Sequence, residues 1–97
     1  MDKRIRLNML YDYYKDLFTE KQQQYFEDYY YSNYSLGEIA EVNNVSRNAV
    51  HNQLKIVEER LEEIESILNL VTKRDKILNM LKDKVSEKVL EELKEIL

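Results

Sequence analysis

The fold depends on residues 35–54, which read SLGEIAEVNNVSRNAVHNQL. Ser35 and Glu38 stand three positions apart, the spacing of a capping box, in which each side chain accepts from the other residue's backbone N–H. This pattern predicts a short helix over residues 36–42. The side chains that would face inward are Leu36, Ile39 and Ala40.

A tight turn and a second helix are predicted to follow. Asn43 and Asn44 both tolerate left-handed backbone geometry and lie between apolar neighbours, so they predict the turn. Ser46 suits the N-cap of the next helix because its hydroxyl can accept from a free N–H of the first turn. Two helices joined in this way, with the small Ala40 where they touch, are typical of a helix-turn-helix.

The second helix begins with a polar outer face. Its members are Arg47, Asn48, His51, Asn52 and Lys55. In a major groove, arginine can pair with guanine and asparagine with adenine, while Lys55 would meet phosphate. The same residues also suit the solvated face that any surface helix has, so both interpretations stay open.

An acidic run follows on the same helix. It consists of Glu58, Glu59, Glu62, Glu63 and Glu65. These carboxylates would repel a duplex that lay along the whole helix. We therefore predict DNA contact only near the N-terminal end of the helix.

The first helix is predicted from Lys3 to about Phe18, and a second from a capping box at Thr19 and Gln22. The apolar stripe of the first contains Leu7, Leu10, Tyr11, Tyr14, Leu17 and Phe18. The buried stripe of the second contains Tyr25, Phe26, Tyr29 and Tyr30. All eight tyrosines lie in the first 34 residues, and their spacing favours core positions with the hydroxyl at the rim. Tyr31 and Tyr34 are expected to be exposed and, with Tyr13, to suit a protein-contact patch.

The helix that Ser46 begins is predicted to be long, ending at about Asn69. Its heptad seam contains Val50, Leu54, Val57, Leu61, Ile64, Leu68 and Val71. At 1.5 Å per residue the helix would extend roughly 36 Å. This is longer than the three preceding helices, which we call the head, can cover. The far half of the seam therefore needs another partner.

The tail and a second copy of the chain are the two candidates for that partner. Thr72 and Asp75 would cap a fifth helix, and a sixth would follow. Their apolar residues are Ile77, Leu78 and Leu81, then Val85, Val89, Leu93 and Ile96. We predict a helix-turn-helix domain without a wing over residues 1–71 and a C-terminal helical tail over residues 72–97. The tail would pack on the long helix, or the seams of two chains would pair in a homodimer, and both arrangements are open.

Composition supports an all-α fold and narrows the function. The chain has 97 residues, one Gly, no Pro and no Cys, so hairpin turns, disulfides and thiolate metal sites have little to build on. No apolar run is long enough to span a membrane, and the N-terminus does not resemble a secretory signal, so we expect a cytoplasmic protein without a membrane partner. His51, the lone histidine, suits a surface hydrogen-bonding residue better than a catalytic one. We expect no cofactor, no metal and no enzyme activity, since no nucleophile, base and ligand set can be assembled.

Three blocks of the chain resemble region 4 of sigma-70-like factors. They are residues 18–22 (FTEKQ), 34–41 (YSLGEIAE) and 45–50 (VSRNAV). With residues 10–14 (LYDYY) and the aromatic run 29–31 added, the chain resembles the YlxM family over about residues 7–68. In that family a domain that resembles sigma region 4 carries a C-terminal helical extension. Its members are typically encoded beside the genes for the signal recognition particle GTPase. The resemblance therefore implies a regulator or accessory of that pathway.

Two positions depart from the family pattern. Asn43 stands where a large apolar residue is usual, and Val42, one position earlier, is expected to take its place by a small rotation. His51 stands where the family often has an aromatic ring.

Two functions from different classes are consistent with these observations. The first is a helix-turn-helix DNA-binding regulatory protein that takes part in the signal recognition particle pathway. The second is a protein-interaction accessory of the particle's GTPase or its RNA, without DNA binding. The polar helix face favours the first, and the net charge of −4 favours the second because phosphate contacts call for clustered Lys and Arg.

Overall fold

The computed structural model describes residues 2–97, and over these residues it contains helices and turns but no strand. The prediction of an all-α fold is therefore confirmed. The order is α1 (Lys3–Tyr14), a 3-10 turn (Lys15–Leu17), α2 (Glu20–Tyr30), α3 (Leu36–Asn43), α4 (Arg47–Leu68), α5 (Leu70–Leu81) and α6 (Glu87–Ile96). No helix in the described range is both long and apolar enough to cross a membrane.

The first helix is shorter than predicted. It ends at Tyr14, and the 3-10 turn that follows has three residues per turn instead of 3.6. This tighter winding rotates Leu17 off the apolar stripe, and its side chain is 65% exposed. The prediction that Leu17 is buried is wrong, whereas Phe18, just after the turn, is buried.

An aromatic stack joins α1 to α2. The ring of Phe26 is fully buried and stacks on the ring of Tyr11 at a centroid distance of 4.1 Å. The ring of Tyr30 also packs against Phe26, at a centroid distance of 4.5 Å. Tyr25 is buried as predicted, while Tyr29 and Tyr30 are only half-buried. The rings of Tyr11 and Phe26 belong to the buried cluster that also contains Ile39 of α3 and Val50 of α4.

Tyrosine hydroxyls bond carboxylates on neighbouring elements. Tyr11 donates to Glu27 and Tyr14 to Glu65, both at 2.6 Å. The other two pairs are Tyr30 with Glu58 at 2.8 Å and Tyr31 with Asp12 at 3.0 Å. Burial, reinforced by the bond to Glu65, raises the pKa of Tyr14 to about 12. The predicted arrangement, a buried ring with its hydroxyl at the rim, is confirmed for Tyr11, whose hydroxyl is partly exposed, but the hydroxyl of Tyr14 is buried with Glu65.

The seam of α4 closes within one chain over most of its length. Val50, Leu54, Val57, Leu61 and Ile64 are all buried, because α1 and α2 pack along them. Both α1 and α5 contact α4, and Val71 of α5 belongs to the same buried cluster as Leu61 and Ile64. The sequence did not indicate the contribution of α1. Leu68 is 43% exposed, contrary to the prediction.

A break at Asn69 separates α4 from α5. Asn69 adopts left-handed geometry with φ 56°, so Val71 lies on α5 instead of continuing the seam of α4, although it is buried. Thr72 and Asp75 do not cap α5, because the helix already begins at Leu70. The predicted boundary between residues 71 and 72 falls inside this helix.

The buried side chain of Glu65 caps the N-terminus of α5. Its carboxylate accepts from the N–H groups of Val71 at 3.2 Å and Thr72 at 2.9 Å, and from the Thr72 hydroxyl at 2.6 Å. Tyr14 supplies a fourth bond, and its own oxygen accepts from the Leu70 N–H at 3.3 Å. This buried cluster ties α1, α4 and α5 together.

The tail is held more loosely than the head. Ser86 caps α6, so Val85 lies before the helix, and α6 packs on α5. Val89 is 41% exposed and Ile96 is 79% exposed, so the predicted apolar stripe is only partly covered. The hydroxyl of Tyr13 donates to the carbonyl of Leu97, which fastens the end of the chain to α1.

Candidate nucleic-acid interface

The turn between α3 and α4 has the predicted geometry. Asn44 adopts left-handed angles, φ 54° and ψ 47°, and its N–H bonds the carbonyls of Ala40 and Glu41. The N–H of Val45 bonds Ala40 as well, at 3.0 Å. Ala40 is buried where the two helices meet. The helix-turn-helix prediction is confirmed, including the caps at Ser35 and Ser46.

Asn43 is the last residue of α3. Its side chain makes hydrogen bonds at a position where an apolar residue is usual. Its amide donates to the carbonyl of Ile39 at 2.8 Å, and its oxygen accepts from the ammonium of Lys21 at 2.9 Å. The expectation that Val42 takes over the packing is wrong, since that side chain is 76% exposed. An amide that binds both its own helix and α2 removes the need for an apolar residue here.

Burial fixes the rotation of α4 about its axis. Val50 is fully buried and Leu54 is 3% exposed, one turn apart on the inner face. The predicted contact residues consequently lie on the outside. Arg47, Asn48, His51, Asn52 and Lys55 are all exposed. No group of histidine and acidic side chains suited to a metal occurs in the described part of the chain.

Gly37 lies beside the side chain of Arg47. A Cβ added at Gly37 would meet Nε and Cδ of Arg47 at 3.8 and 3.9 Å, which is ordinary contact distance, and Gly37 has no positive φ.

We therefore expect Gly37→Ala to be tolerated. Because alanine loses less backbone freedom than glycine in a helix, the free energy of unfolding should rise by roughly 0.5–1 kcal/mol. Urea denaturation followed by circular dichroism measures this change. A clear loss of stability would show that α3 and the Arg47 side chain are closer than the structure places them.

Ion pairs neutralise most of the acidic run. Lys3 on α1 pairs with Glu58 at 3.4 Å, and Arg6 pairs with Glu62 through two bonds of 2.6 and 2.9 Å. The two remaining pairs lie within α4 and are Lys55 with Glu59 at 4.0 Å and Arg60 with Glu63 at 2.8 Å. The fifth carboxylate, Glu65, is buried under α5. The run therefore presents far less free negative charge than the sequence indicates.

Basic side chains from outside the motif reach the flanks of α4. Lys3 lines a cleft with His51 and Lys55, and Lys21 lines another with Asn52. Sequence reasoning missed both lysines because α1 and α2 bring them to α4 only through tertiary packing. The one available signal was the position of Lys21, two residues after the Thr19 cap and within a block that resembles sigma region 4.

Comparison with known proteins identifies the family. Residues 1–96 match the model of UPF0122, described as "Putative helix-turn-helix protein, YlxM / p13 like". A UPF0122 protein of Halalkalibacterium halodurans is 46% identical over 95 residues, which is 95% of this chain and 87% of the relative. One from a Geobacillus species is 46% identical over 91 residues, covering 91% and 83% of the two chains. One from Listeria innocua is 41% identical over 90 residues, covering 90% and 82%. The chain, with its helix-turn-helix at α3 and α4, belongs to the UPF0122 family of YlxM / p13-like proteins.

Proposed function

We propose that the protein is a DNA-binding regulator whose α4 enters the major groove with its first two turns. The observation that carries the proposal is the exposed polar face of α4, from Arg47 to Lys55, on a helix whose rotation is fixed by its buried side. A major groove of about 12 Å admits one α-helix. The resemblance to the YlxM family adds a setting, regulation within the signal recognition particle pathway.

Each side chain of this face has a defined chemical role in the proposal. Arg47 presents a planar fork that pairs with O6 and N7 of guanine, and Asn48 or Asn52 matches N6 and N7 of adenine. Lys55 contacts phosphate one turn further along, and His51 adds a donor or acceptor between them. Specific readout would thus depend on Arg47, Asn48 and Asn52, and non-specific affinity on Lys55.

The ion pairs along α4 support this placement. A duplex at the start of α4 meets Arg47 and Lys55 before the acidic run, in which Glu58, Glu62 and Glu63 are paired with Lys3, Arg6 and Arg60. Repulsion between charges that are separated by more than about 8–10 Å is screened at physiological salt. The net charge of −4 is therefore compatible with a small local contact.

We expect Arg47→Ala to weaken specific binding by roughly 10- to 100-fold, because a bidentate contact to guanine contributes about 1–3 kcal/mol. A preferred duplex is first selected by the wild-type protein from a random library. Fluorescence anisotropy then compares the two proteins on that duplex. Equal affinities would remove Arg47 from the interface.

Arg60→Ala is the matched control. Arg60 is exposed on the same helix and carries the same charge, but it lies beyond the proposed face and pairs with Glu63. Its substitution is expected to change affinity by less than about threefold, since an exposed ion pair contributes only about 0–1 kcal/mol.

An accessory role through protein contacts is the second candidate, and the tail favours it. Apolar side chains remain exposed along the α4–α5 junction and the tail, namely Ile67, Leu68, Leu70, Ile77, Met80, Val89 and Ile96. Contiguous exposed apolar surface is typical of protein-interaction sites. Under this candidate, that surface contacts a second copy of the chain or a component of the signal recognition particle.

Affinity purification from native cells, with half of each sample treated with nuclease, separates the two candidates. Retention of the particle's GTPase after nuclease treatment supports the accessory role. Recovery of neither the GTPase nor its RNA counts against that role. Analytical ultracentrifugation of the purified protein, compared with Met80→Glu, reports whether the tail pairs two copies.

A further inference from the structure

Two clefts lie along the N-terminal half of α4, on opposite flanks of the helix. The first, the Lys3 cleft, has a volume of about 400 Å³ and is lined on α4 by His51, Leu54, Lys55 and Glu58. The second, the Lys21 cleft, has a volume of about 550 Å³ and is lined on α4 by Ala49, Asn52 and Gln53. At 100° per residue, these two sets of positions point roughly 160° apart around the helix axis.

The face proposed above runs from one cleft to the other: His51 and Lys55 line the Lys3 cleft, Asn52 lines the Lys21 cleft, and Asn48 lies between them. A helix in a major groove has one sugar-phosphate strand on each side, because the groove is little wider than the helix with its side chains. A cleft on each flank therefore faces a different strand when the face between them meets the bases.

The charges that line the two clefts suit phosphate. The Lys3 cleft is lined by the ammonium groups of Lys3 and Lys55 and by one carboxylate, Glu58. Lys3 pairs with Glu58 at 3.4 Å within the cleft, and Lys55 lies 4.0 Å from Glu59, which is outside the lining. Lys3 is 79% exposed in its side chain and is held toward the cleft by Glu58, whose carboxylate also accepts from the hydroxyl of Tyr30. The lysine is thus positioned at the mouth without being buried.

The Lys21 cleft contains one ammonium group and no carboxylate in its lining, together with amide donors from Gln22, Asn52 and Gln53. The ammonium of Lys21 lies 2.9 Å from the oxygen of Asn43 and 5.6 Å from the ring centre of Tyr25. Both contacts leave the lysine exposed and limit where it points.

A third cleft lies next along α4, and its charges suit phosphate less well. Its lining has three cations, Lys3, Arg6 and Lys55, against Glu58, Glu59 and Glu62. Lys3, Lys55 and Glu58 also line the Lys3 cleft. The charged groups that only this cleft adds, Arg6 against Glu59 and Glu62, bring a net charge of −1, so the surface here is less favourable for a phosphate.

From this arrangement we propose that the Lys3 and Lys21 clefts bind phosphates of opposite DNA strands and clamp α4 in the groove between them. This inference rests on the proposed DNA-binding function. It adds two phosphate contacts from α1 and α2, outside the helix-turn-helix. These contacts set the depth and direction of α4 and do not read bases.

The test measures salt dependence and strand protection on the duplex selected by the wild-type protein. Lys3→Ala and Lys21→Ala are each expected to reduce the slope of log K against log salt by about 1 while leaving the preferred sequence unchanged. In ethylation interference, Lys3→Ala should lose signals on one strand and Lys21→Ala on the other. Lys73→Ala, an exposed lysine on α5, serves as control and should change neither readout.

Lys3→Ala also frees Glu58, whose charge alone would oppose DNA. The double variant Lys3→Ala/Glu58→Gln removes that charge and keeps an acceptor for Tyr30, so a reduced slope that persists in it belongs to the Lys3 contact.

The outcomes separate the clamp from the proposed function. Unchanged slopes, or loss of interference on the same strand in both variants, would overturn the clamp while Arg47→Ala still reported on DNA binding. If the wild-type protein binds no duplex at low salt, both proposals fail.

Discussion

Replacing Phe26 with alanine is expected to lower the free energy of unfolding by about 3–5 kcal/mol, the cost typical of removing a buried aromatic ring. Phe26 is fully buried, stacks on Tyr11 and packs against Tyr30. The cavity would lie between α1 and α2, and rigid rings on both sides leave little scope for collapse. Urea denaturation followed by near-ultraviolet circular dichroism measures the loss and reports the tyrosine environment at the same time.

Tyr34→Ala provides the matched aromatic control. Tyr34 is 46% exposed in the loop before α3, so its removal should change stability by no more than about 0.5 kcal/mol. Equal effects of the two substitutions would contradict the location of the core between α1, α2 and α4.

Replacing Glu65 with alanine is expected to lower the free energy of unfolding by about 3 kcal/mol. The change leaves the Tyr14 hydroxyl and the N–H groups of Val71 and Thr72 without their acceptor in a buried site. Hydrogen bonds to a charged group contribute about 1.5–3 kcal/mol each, and unpaired buried donors add a desolvation cost. Amide hydrogen exchange should localise the loss to the start of α5.

Glu63→Ala is the control for this prediction. Glu63 is exposed and bonds only Arg60 and its own helix, so its loss should cost less than about 1 kcal/mol. If α5 exchanges no faster in Glu65→Ala than in Glu63→Ala, Glu65 does not hold the tail.

The pH dependence of stability follows from the same carboxylate. Burial alone raises the pKa of Glu65, but the hydrogen bonds from Thr72, Tyr14 and Val71 together outweigh it and hold the pKa below the ordinary value. A group whose pKa is lowered on folding stabilises the fold above its unfolded pKa, and this contribution is lost as pH falls through the folded pKa. The wild-type protein should therefore lose more stability below about pH 4 than Glu65→Ala does.

Features that depend on neighbouring residues were predictable from the sequence. The capping boxes at Thr19 and Ser35, the cap at Ser46 and the left-handed turn at Asn44 all involve groups within a few positions of one another. The inner face of α4 was equally predictable because burial of Val50 and Leu54 follows the helical period. These local features suffice to define the helix-turn-helix.

Features that depend on tertiary packing were not predictable. Glu65 was assigned to a repulsive acidic run, yet a helix break at Asn69 turns α5 back over it and makes it a cap. Lys3 and Lys21 reach α4 from distant parts of the chain. Leu17 fits the helical period, but a 3-10 turn removes it from the core. The contacts of Glu65, Lys3 and Lys21 join residues whose separation in sequence carries no periodic signal, whereas Leu17 is misassigned because the helical period does not show where a helix tightens.

The central claim is that the protein meets DNA through the outer face of α4. Titration of the isotope-labelled protein with a short duplex at low salt, followed by amide chemical shifts, tests it most directly. The account predicts that the largest shifts cluster at residues 47–55, with smaller ones near Lys3 and Lys21. Shifts confined to α5 and α6, or none at all at duplex concentrations that saturate other helix-turn-helix domains, would contradict it.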